Sequence, residues 1–276
     1  MDDDPHNTAS IRFATFLSPI LYTAYEHIAR YVGETLGCAT SLSVGQSFEE
    51  LADGQVDVGF ICGLPYVLMA RQPSCPVELL AAPVVRGERY RHKPIYFSDV
   101  IVRSDSPYAS FDDLGGCVWA YNERESHSGC KLVCYSLLER GKGPDYFGKT
   151  VKSGSHLRSL EMVIEGKADA AAIDSHMLDV LCARDEKLTA KLRVIAVLGP
   201  SSIQPVVVAK RLDKELKRRI QEALVTMHLD ARAASGLHKG LIERFAVVTD
   251  EQYDDIRGML AQVEGWVGGP KGTVSP

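Results

Sequence analysis

Ser126-His127-Ser128-Gly129 is the stretch of this chain whose residue types and spacing could do chemistry. It lies between a strand-like run, Cys117 to Tyr121, and a helix-like run, Cys130 to Arg140, which Gly141 stops. A helix start leaves its first backbone N–H groups without intrahelical acceptors, and the positive end of the helix dipole adds to them. Hydroxyls and a glycine at such a place suit an oxyanion. A serine there also serves as an ordinary helix cap, so both readings stand on this stretch alone.

The surrounding composition narrows the function. The chain has 276 residues, 45% hydrophobic and 24% charged, enough for one large domain or two smaller α/β lobes. A net charge of −5 with no basic stripe argues against nucleic acid as a partner. No apolar run approaches the ~18–20 residues that span a bilayer. The start, Met1 to His6, is acidic and polar and has neither the basic nor the apolar region of a secretory signal. The expectation is therefore a cytosolic protein or one whose signal has been removed. Seven cysteines without paired spacing argue against a disulfide framework and for reduced, buried thiols. Cys130 and Cys134 stand at helical i,i+4 spacing, but no second Cys or His pair lies nearby in sequence to complete a zinc site.

The elements that must position the stretch read as alternating strands and helices. Ile11 to Phe16, Ala39 to Val44 and Val56 to Ile61 are strands separated by helices from Ser18-Pro19 and from Ser47. Val56 to Ile61 has the continuous apolar character of a strand buried on both faces. Cys62 to Tyr66 is a turn, with a helix over Val67 to Arg71. Strands follow at Leu79 to Val85 and Ile95 to Val102, then βα units over 117–140, Lys149 to Glu165 and Ala168 to Ala183. Leu192 to Leu198 and Val206 to Ala209 are strands, and helices over Lys214 to Ala234 and Asp250 to Val263 end the chain. This order predicts an α/β fold of two lobes with a ligand cleft between them. The first lobe takes 1–98 plus 206–276 and the second takes 99–205. Hinges are expected near 97–103 and 197–207.

With these elements in order, the chain resembles the phosphonate-binding family of ABC-transporter substrate-binding proteins, within the type II periplasmic-binding-protein fold. The resemblance spans roughly 40–210. It is carried by Leu51 to Phe60 running into Gly63-Leu64-Pro65-Tyr66, and by Tyr96 to Val102 with Asp105-Ser106-Pro107 and Phe111 to Gly116. Ser126-His127-Ser128-Gly129 stands where the family usually reads Ser-Thr-Ser-Gly. Ser153-Gly154-Ser155-His156, Gly166 to Ala170, and Val194 to Val208 around Gln204-Pro205 complete the set. The resemblance implies that Ser126, Ser128 and the backbone from His127 to Gly129 hold an oxyanion, joined by the Tyr96 hydroxyl and by His156 at a second helix start. A protonated imidazole there would supply a countercharge.

The departures bear on the ligand. The positions at which aminoalkylphosphonate binders place carboxylates fall on His176 and Gln204, and neither brings a negative charge to an ammonium group. Asp174 supplies one only if the local alignment slips by two. Ser47 and Phe48, before Gly54, complete the candidate ligand-binding set. A metal held by His127, His156 and His176 is the lesser alternative, and no metal or cofactor is expected. The resulting expectation is a non-enzymatic, extracytoplasmic solute-binding protein that closes on a phosphonate- or phosphate-like oxyanion and serves an ABC permease. An enzyme or a cytosolic ligand sensor on the same fold is the alternative. No Ser-His-acid, Cys-His-acid or paired-carboxylate set stands at motif spacing to favour the enzyme.

Overall fold

The computed structural model describes residues 10–266. The chain forms β1 (Ile11–Thr15), α1 (Tyr22–Leu36), β2 (Thr40–Val44), α2 (Glu49–Ala52), β3 (Val58–Phe60), α3 (Gly63–Ala70) and β4 (Val77–Val85). It continues through β5 (Ile95–Arg103) and β6 (Val118–Tyr121) to a π turn, His127–Lys131, that runs into α4 (Leu132–Glu139). Next come β7 (Lys149–Lys152), α5 (His156–Ile164), β8 (Ala170–Asp174), α6 (Ser175–Arg184), α7 (Glu186–Thr189) and β9 (Leu192–Ser202). β10 (Val206–Ala209), α8 (Lys214–Thr226), α9 (Ala231–Lys239), β11 (Ile242–Ala246) and α10 (Asp254–Gly265) complete it.

Two compact units result. The first takes residues 10–94 and Ile203–Gln252, the second Ile95–Ser202 and 253–266. The chain passes between them at 94–95, 202–203 and 252–253. The first unit holds a sheet of order β11-β4-β10-β3-β1-β2, and the second holds β7-β6-β8-β5-β9. Each follows one plan. Three parallel strands stand in the order second, first, third: β2-β1-β3 in one sheet and β7-β6-β8 in the other. An antiparallel strand that begins just after a passage between units then joins the third, β10 beside β3 and β5 beside β8.

Burial explains the central strands. Every residue of β3 and of β8 is buried, as expected for strands covered on both faces. α1 lays Ala24, Tyr25, Ile28, Ala29 and Val32 into the core at helical spacing and stops at Gly37, whose φ of 72° takes the left-handed conformation that glycine adopts without strain.

Five details depart from the sequence expectations. α3 starts at Gly63, within the segment read as a turn. The helix expected over 214–234 is broken at Met227–Leu229, and Asp230 caps α9 by accepting from the Arg232 N–H. β11 carries charges at Glu243 and Arg244 that mask its strand character, yet it pairs with β4. The assignment of all of 206–276 to the first lobe also differs, because α10 joins the second unit. Val263 packs there with Cys130 and Cys134, and Asp255 accepts from the Ser202 N–H at 2.7 Å. Residues 97–103, expected at a hinge, form the interior of β5, paired with β8 on one side and β9 on the other.

The first unit is fastened by Asp57, which is 4% exposed. Its carboxylate accepts from the Arg12 backbone N–H at 2.8 Å, from Arg12 Nε and Nη2 at 3.0 Å each, and from Arg211. Burial alone would raise this pKa, but the hydrogen bonds from the two arginines outweigh it and hold the carboxyl below its ordinary value. Asp57→Asn is expected to lower stability by roughly 1–3 kcal/mol, because both arginines are partly solvated and screen the loss. The difference in urea unfolding free energy between wild type and variant should be full at pH 7 and shrink as pH falls below ~4, where the unfolded carboxyl takes up its proton.

Candidate functional site

The candidate site is built at the carboxyl edge of the parallel strands of the second unit. β6, β7 and β8 run in parallel, and each is followed by a helix, so the starts of α4, α5 and α6 lie along one edge of the sheet. Ser126 is extended (φ −75°, ψ 129°) and its Oγ accepts from the Gly129 N–H at 3.1 Å. The turn it caps has π geometry: the Lys131 N–H reaches back five residues to the Ser126 carbonyl at 3.0 Å. This wider turn leaves more leading N–H groups without intrahelical partners than an α-helix start does. Ser98 Oγ, on β5, donates to the Ser128 carbonyl at 2.7 Å and fastens the turn to the sheet.

Gly129 is dictated by close approach. A Cβ there would lie 1.9 Å from Asn122 Oδ1 and 3.1 Å from His156 Cε1. Asn122, buried at the end of β6, uses its Nδ2 to donate to Ser126 Oγ at 3.0 Å.

His156 is the first residue of α5, which Ser155 caps by accepting from the Arg158 N–H at 3.1 Å. Its Nε2 stands 3.1 Å from Ser128 Oγ, so the π turn and the α5 start meet directly. The residue is partly exposed, yet Nδ1 is buried and has no partner of hydrogen-bond geometry. Burial pulls the pKa down. The charge of Asp174 opposes this, as does the Ala172 carbonyl, which is near enough to favour protonation. Asp174 ends β8 opposite Ser98 and caps α6 by accepting from the Met177 N–H at 3.0 Å.

His127 is placed differently from its neighbours. It is 1% exposed, and its Nε2 lies 2.8 Å from Ser201 Oγ, at the end of β9. Burial pushes its pKa down to about 4. Burial thus favours the neutral form of both imidazoles in the unliganded chain, more strongly at His127 than at His156, where Asp174 and the Ala172 carbonyl oppose it. The donors available to an anion are hydroxyls, backbone N–H groups and neutral ring N–H groups.

Tyr96 is buried on β5, its ring 6.4 Å from the His127 ring between centroids. His176 is buried in the first turn of α6. Ser126, His127, Ser128, Gly129, His156, Tyr96 and His176 thus all belong to the second unit, and Ser47, Phe48 and Gln204 to the first. There, Ser47 accepts from the Glu49 N–H at 3.2 Å, Phe48 packs on Phe16 with ring centroids 4.8 Å apart, and Gln204 is buried. Among the described residues, no three His, Cys, Asp or Glu side chains are grouped to hold a metal ion. Cys130 and Cys134 pack with Val263 and Trp266 and border an apolar cavity with Trp119 and Phe147. Ser98, Asn122 and Ser201 are the site residues that sequence reasoning missed. The available signal was a polar residue inside or at the end of an apolar strand.

His127 gives a pH prediction. Above pH ~6.5 the ring is neutral in folded and unfolded chains alike. Between ~6.5 and about 4 the unfolded chain takes up a proton that the buried ring refuses, so stability falls with pH. Over that interval wild type should lose up to about 3 kcal/mol relative to His127→Asn in urea unfolding. Gly129→Ala should disrupt the turn and abolish the Asn122–Ser126 contact, measurable as lost hydrogen-exchange protection over 126–132.

Comparisons with known proteins agree with this architecture. Residues 13–253 match the family model described as the periplasmic substrate-binding protein of phosphonate ABC transporters. A binding-protein component of an ABC phosphonate transporter from Pseudomonas aeruginosa superposes with a TM-score of 0.81 at 17% identity, covering 94% of this chain and 87% of that one. PhnD1 from Prochlorococcus marinus, in complex with methylphosphonate, gives 0.77 at 14% identity over 92% of this chain and 98% of that one. A protein from Xanthomonas citri bound to ATP gives 0.70 at 17% identity over 94% and 100%. At these identities the neighbours share the fold, the two-lobed α/β fold of periplasmic binding proteins expected from the sequence. With its match over residues 13–253, the chain belongs to the periplasmic phosphonate-binding family, the substrate-binding components of ABC transporters.

Proposed function

We propose that this chain captures a small phosphonate- or phosphate-like oxyanion at the Ser126–Gly129 turn, outside the cytoplasm, and delivers it to an ABC-transporter permease. The observation that carries this reading is the meeting of two helix starts at the Ser128–His156 contact, on the edge where three helices begin. Ser126 and Ser128 supply hydroxyls, the turn supplies backbone N–H groups, and His156 and Tyr96 supply a ring N–H and a phenol. Uncharged donors hold an anion through several charge-assisted hydrogen bonds without an ion pair. His176 and Gln204 bring no carboxylate, so the rest of the ligand carries no ammonium group in this reading.

Calorimetry and thermal shift against phosphate, phosphite, methylphosphonate, 2-aminoethylphosphonate and ATP test the proposal. The expected result is stabilisation by at least one of the simple oxyanions, about 2.7 kcal/mol at a hundred times Kd, with 2-aminoethylphosphonate weaker than methylphosphonate. No shift with any of them at millimolar concentration would overturn it. Ser128→Ala and His156→Ala should each weaken binding roughly 10–100-fold, the worth of a hydrogen bond to a charged group. A bound anion also raises the His156 pKa, so at pH 6 wild type should take up more protons on binding than His156→Asn. Comparing binding enthalpies in buffers of different ionisation heat with the same ligand measures that difference.

The Ser128–His156 contact also resembles two-thirds of a hydrolytic triad, which keeps an enzyme as the second reading. Against it, no carboxylate is hydrogen-bonded to His156 Nδ1; the acceptor near the ring is the Ala172 carbonyl, and Asp174 is taken up in capping α6. Hydrolysis of a nitrophenyl phosphonate that disappears in Ser128→Ala would favour the enzyme.

A further inference from the structure

His127 sits beside Ser128 in the oxyanion turn, yet its ring is engaged with the strand ends at the passages between units. Its Nε2 lies 2.8 Å from Ser201 Oγ. Ser201 directs its own hydrogen to Met259 Sδ at 3.8 Å, which leaves the oxygen to accept from a protonated Nε2. Ser201 stands opposite Tyr96 across β5 and β9, and the Tyr96 and His127 rings lie 6.4 Å apart between centroids. Tyr96 is the second residue of β5 after the chain enters the unit, and Ser201 is the last but one of β9 before it leaves. The next residue, Ser202, donates its N–H to Asp255, just beyond the passage at 252–253. All three passages are thus tied, within this unit, to the residues that hold the His127 ring. The Ser98–Ser128 bond fastens the same turn to β5 a second time.

An imidazole that is 1% exposed and held neutral is costly to bury unless its hydrogen bond matters. We propose that His127 is a positioning residue for oxyanion capture: its bond to Ser201 locks the π turn to the ends of β5 and β9, so that filling the turn is felt where the chain passes between units. The proposal rests on the reading of the turn as an oxyanion site.

The test uses the full chain with methylphosphonate, phosphate and phosphite as probes, comparing wild type, His127→Leu, His127→Gln and Ser201→Ala. Calorimetry gives Kd, and hydrogen exchange follows peptides covering 94–97, 200–204 and 253–256 with and without the tightest-binding probe. In wild type, binding should protect these peptides. His127→Leu and Ser201→Ala should bind roughly tenfold more weakly and lose the protection. His127→Gln, whose amide N–H can reach the place of Nε2, should restore both, and the restoration should vanish when Ser201→Ala is added. Wild-type affinity and protection in Ser201→Ala, or a failure of His127→Gln to restore either, would overturn the proposal. If His127→Leu does not fold, Ser201→Ala and the Gln rescue still decide. Binding by wild type with no protection at the passages would sink this proposal and leave the site reading standing. Absence of binding by wild type to every probe would bring down both.

Discussion

The second unit depends on one constraint: strands that run in parallel release every following helix at the same edge of the sheet. β6, β7 and β8 obey it, so serines and histidines scattered over fifty residues of sequence reach one line of helix starts. The dipoles of those helices and their leading N–H groups then act together, which no single helix start achieves. What the chain adds is fastening. Ser98 holds the turn from below, Asn122 braces it from the side, and Ser155 and Asp174 cap the two neighbouring helices. The site offers an anion polar donors without a fixed positive charge, and its one nearby carboxylate, Asp174, is taken up in capping α6. Its two well-defined imidazoles are both pushed toward the neutral form by burial. A site of this kind discriminates by the direction and number of its donors, whereas attraction by net charge would admit any anion.

Much of this was legible in the residues. The apolar run over Val56 to Ile61, at whose centre β3 forms, and the βα alternation announced two α/β units, because burial patterns are local properties of a sequence. Ser126 and Ser128 were visible as helix-start residues, and His156 as a second one. What stayed hidden was set by partners distant in sequence. His127 could not be told from a ligand-facing ring until Ser201, 74 residues away, was beside it. Asn122 looked like an ordinary turn residue until its amide was seen against Gly129. The tail helix α10 carried no local sign that it would join the second unit, since its attachment runs through Asp255 and Val263 to residues far upstream.

The two units are stabilised in contrasting ways. The first buries a carboxylate and answers it with two arginines, keeping the charge and its pH dependence on the acid side. The second buries imidazoles and answers them with hydroxyls, so protonation opposes its fold at mildly acid pH. Acid therefore acts on Asp57 and on His127 in different intervals. The unit carrying the candidate site is the more sensitive just below neutrality.

The π turn has a consequence for how this sequence could vary. Relative to an ordinary α-helix, a π turn holds one extra residue between its first residue and the helix that follows. Removing any one residue from Ser128 to Lys131 would let the segment settle into regular helix, but one residue of helix is about 100° of rotation. Either the serines would swing away from His156, or Leu132, Val133 and Leu137 would leave the core they now fill. Length is thus fixed at this point as strictly as the glycine at 129, where the turn has no room for a side chain.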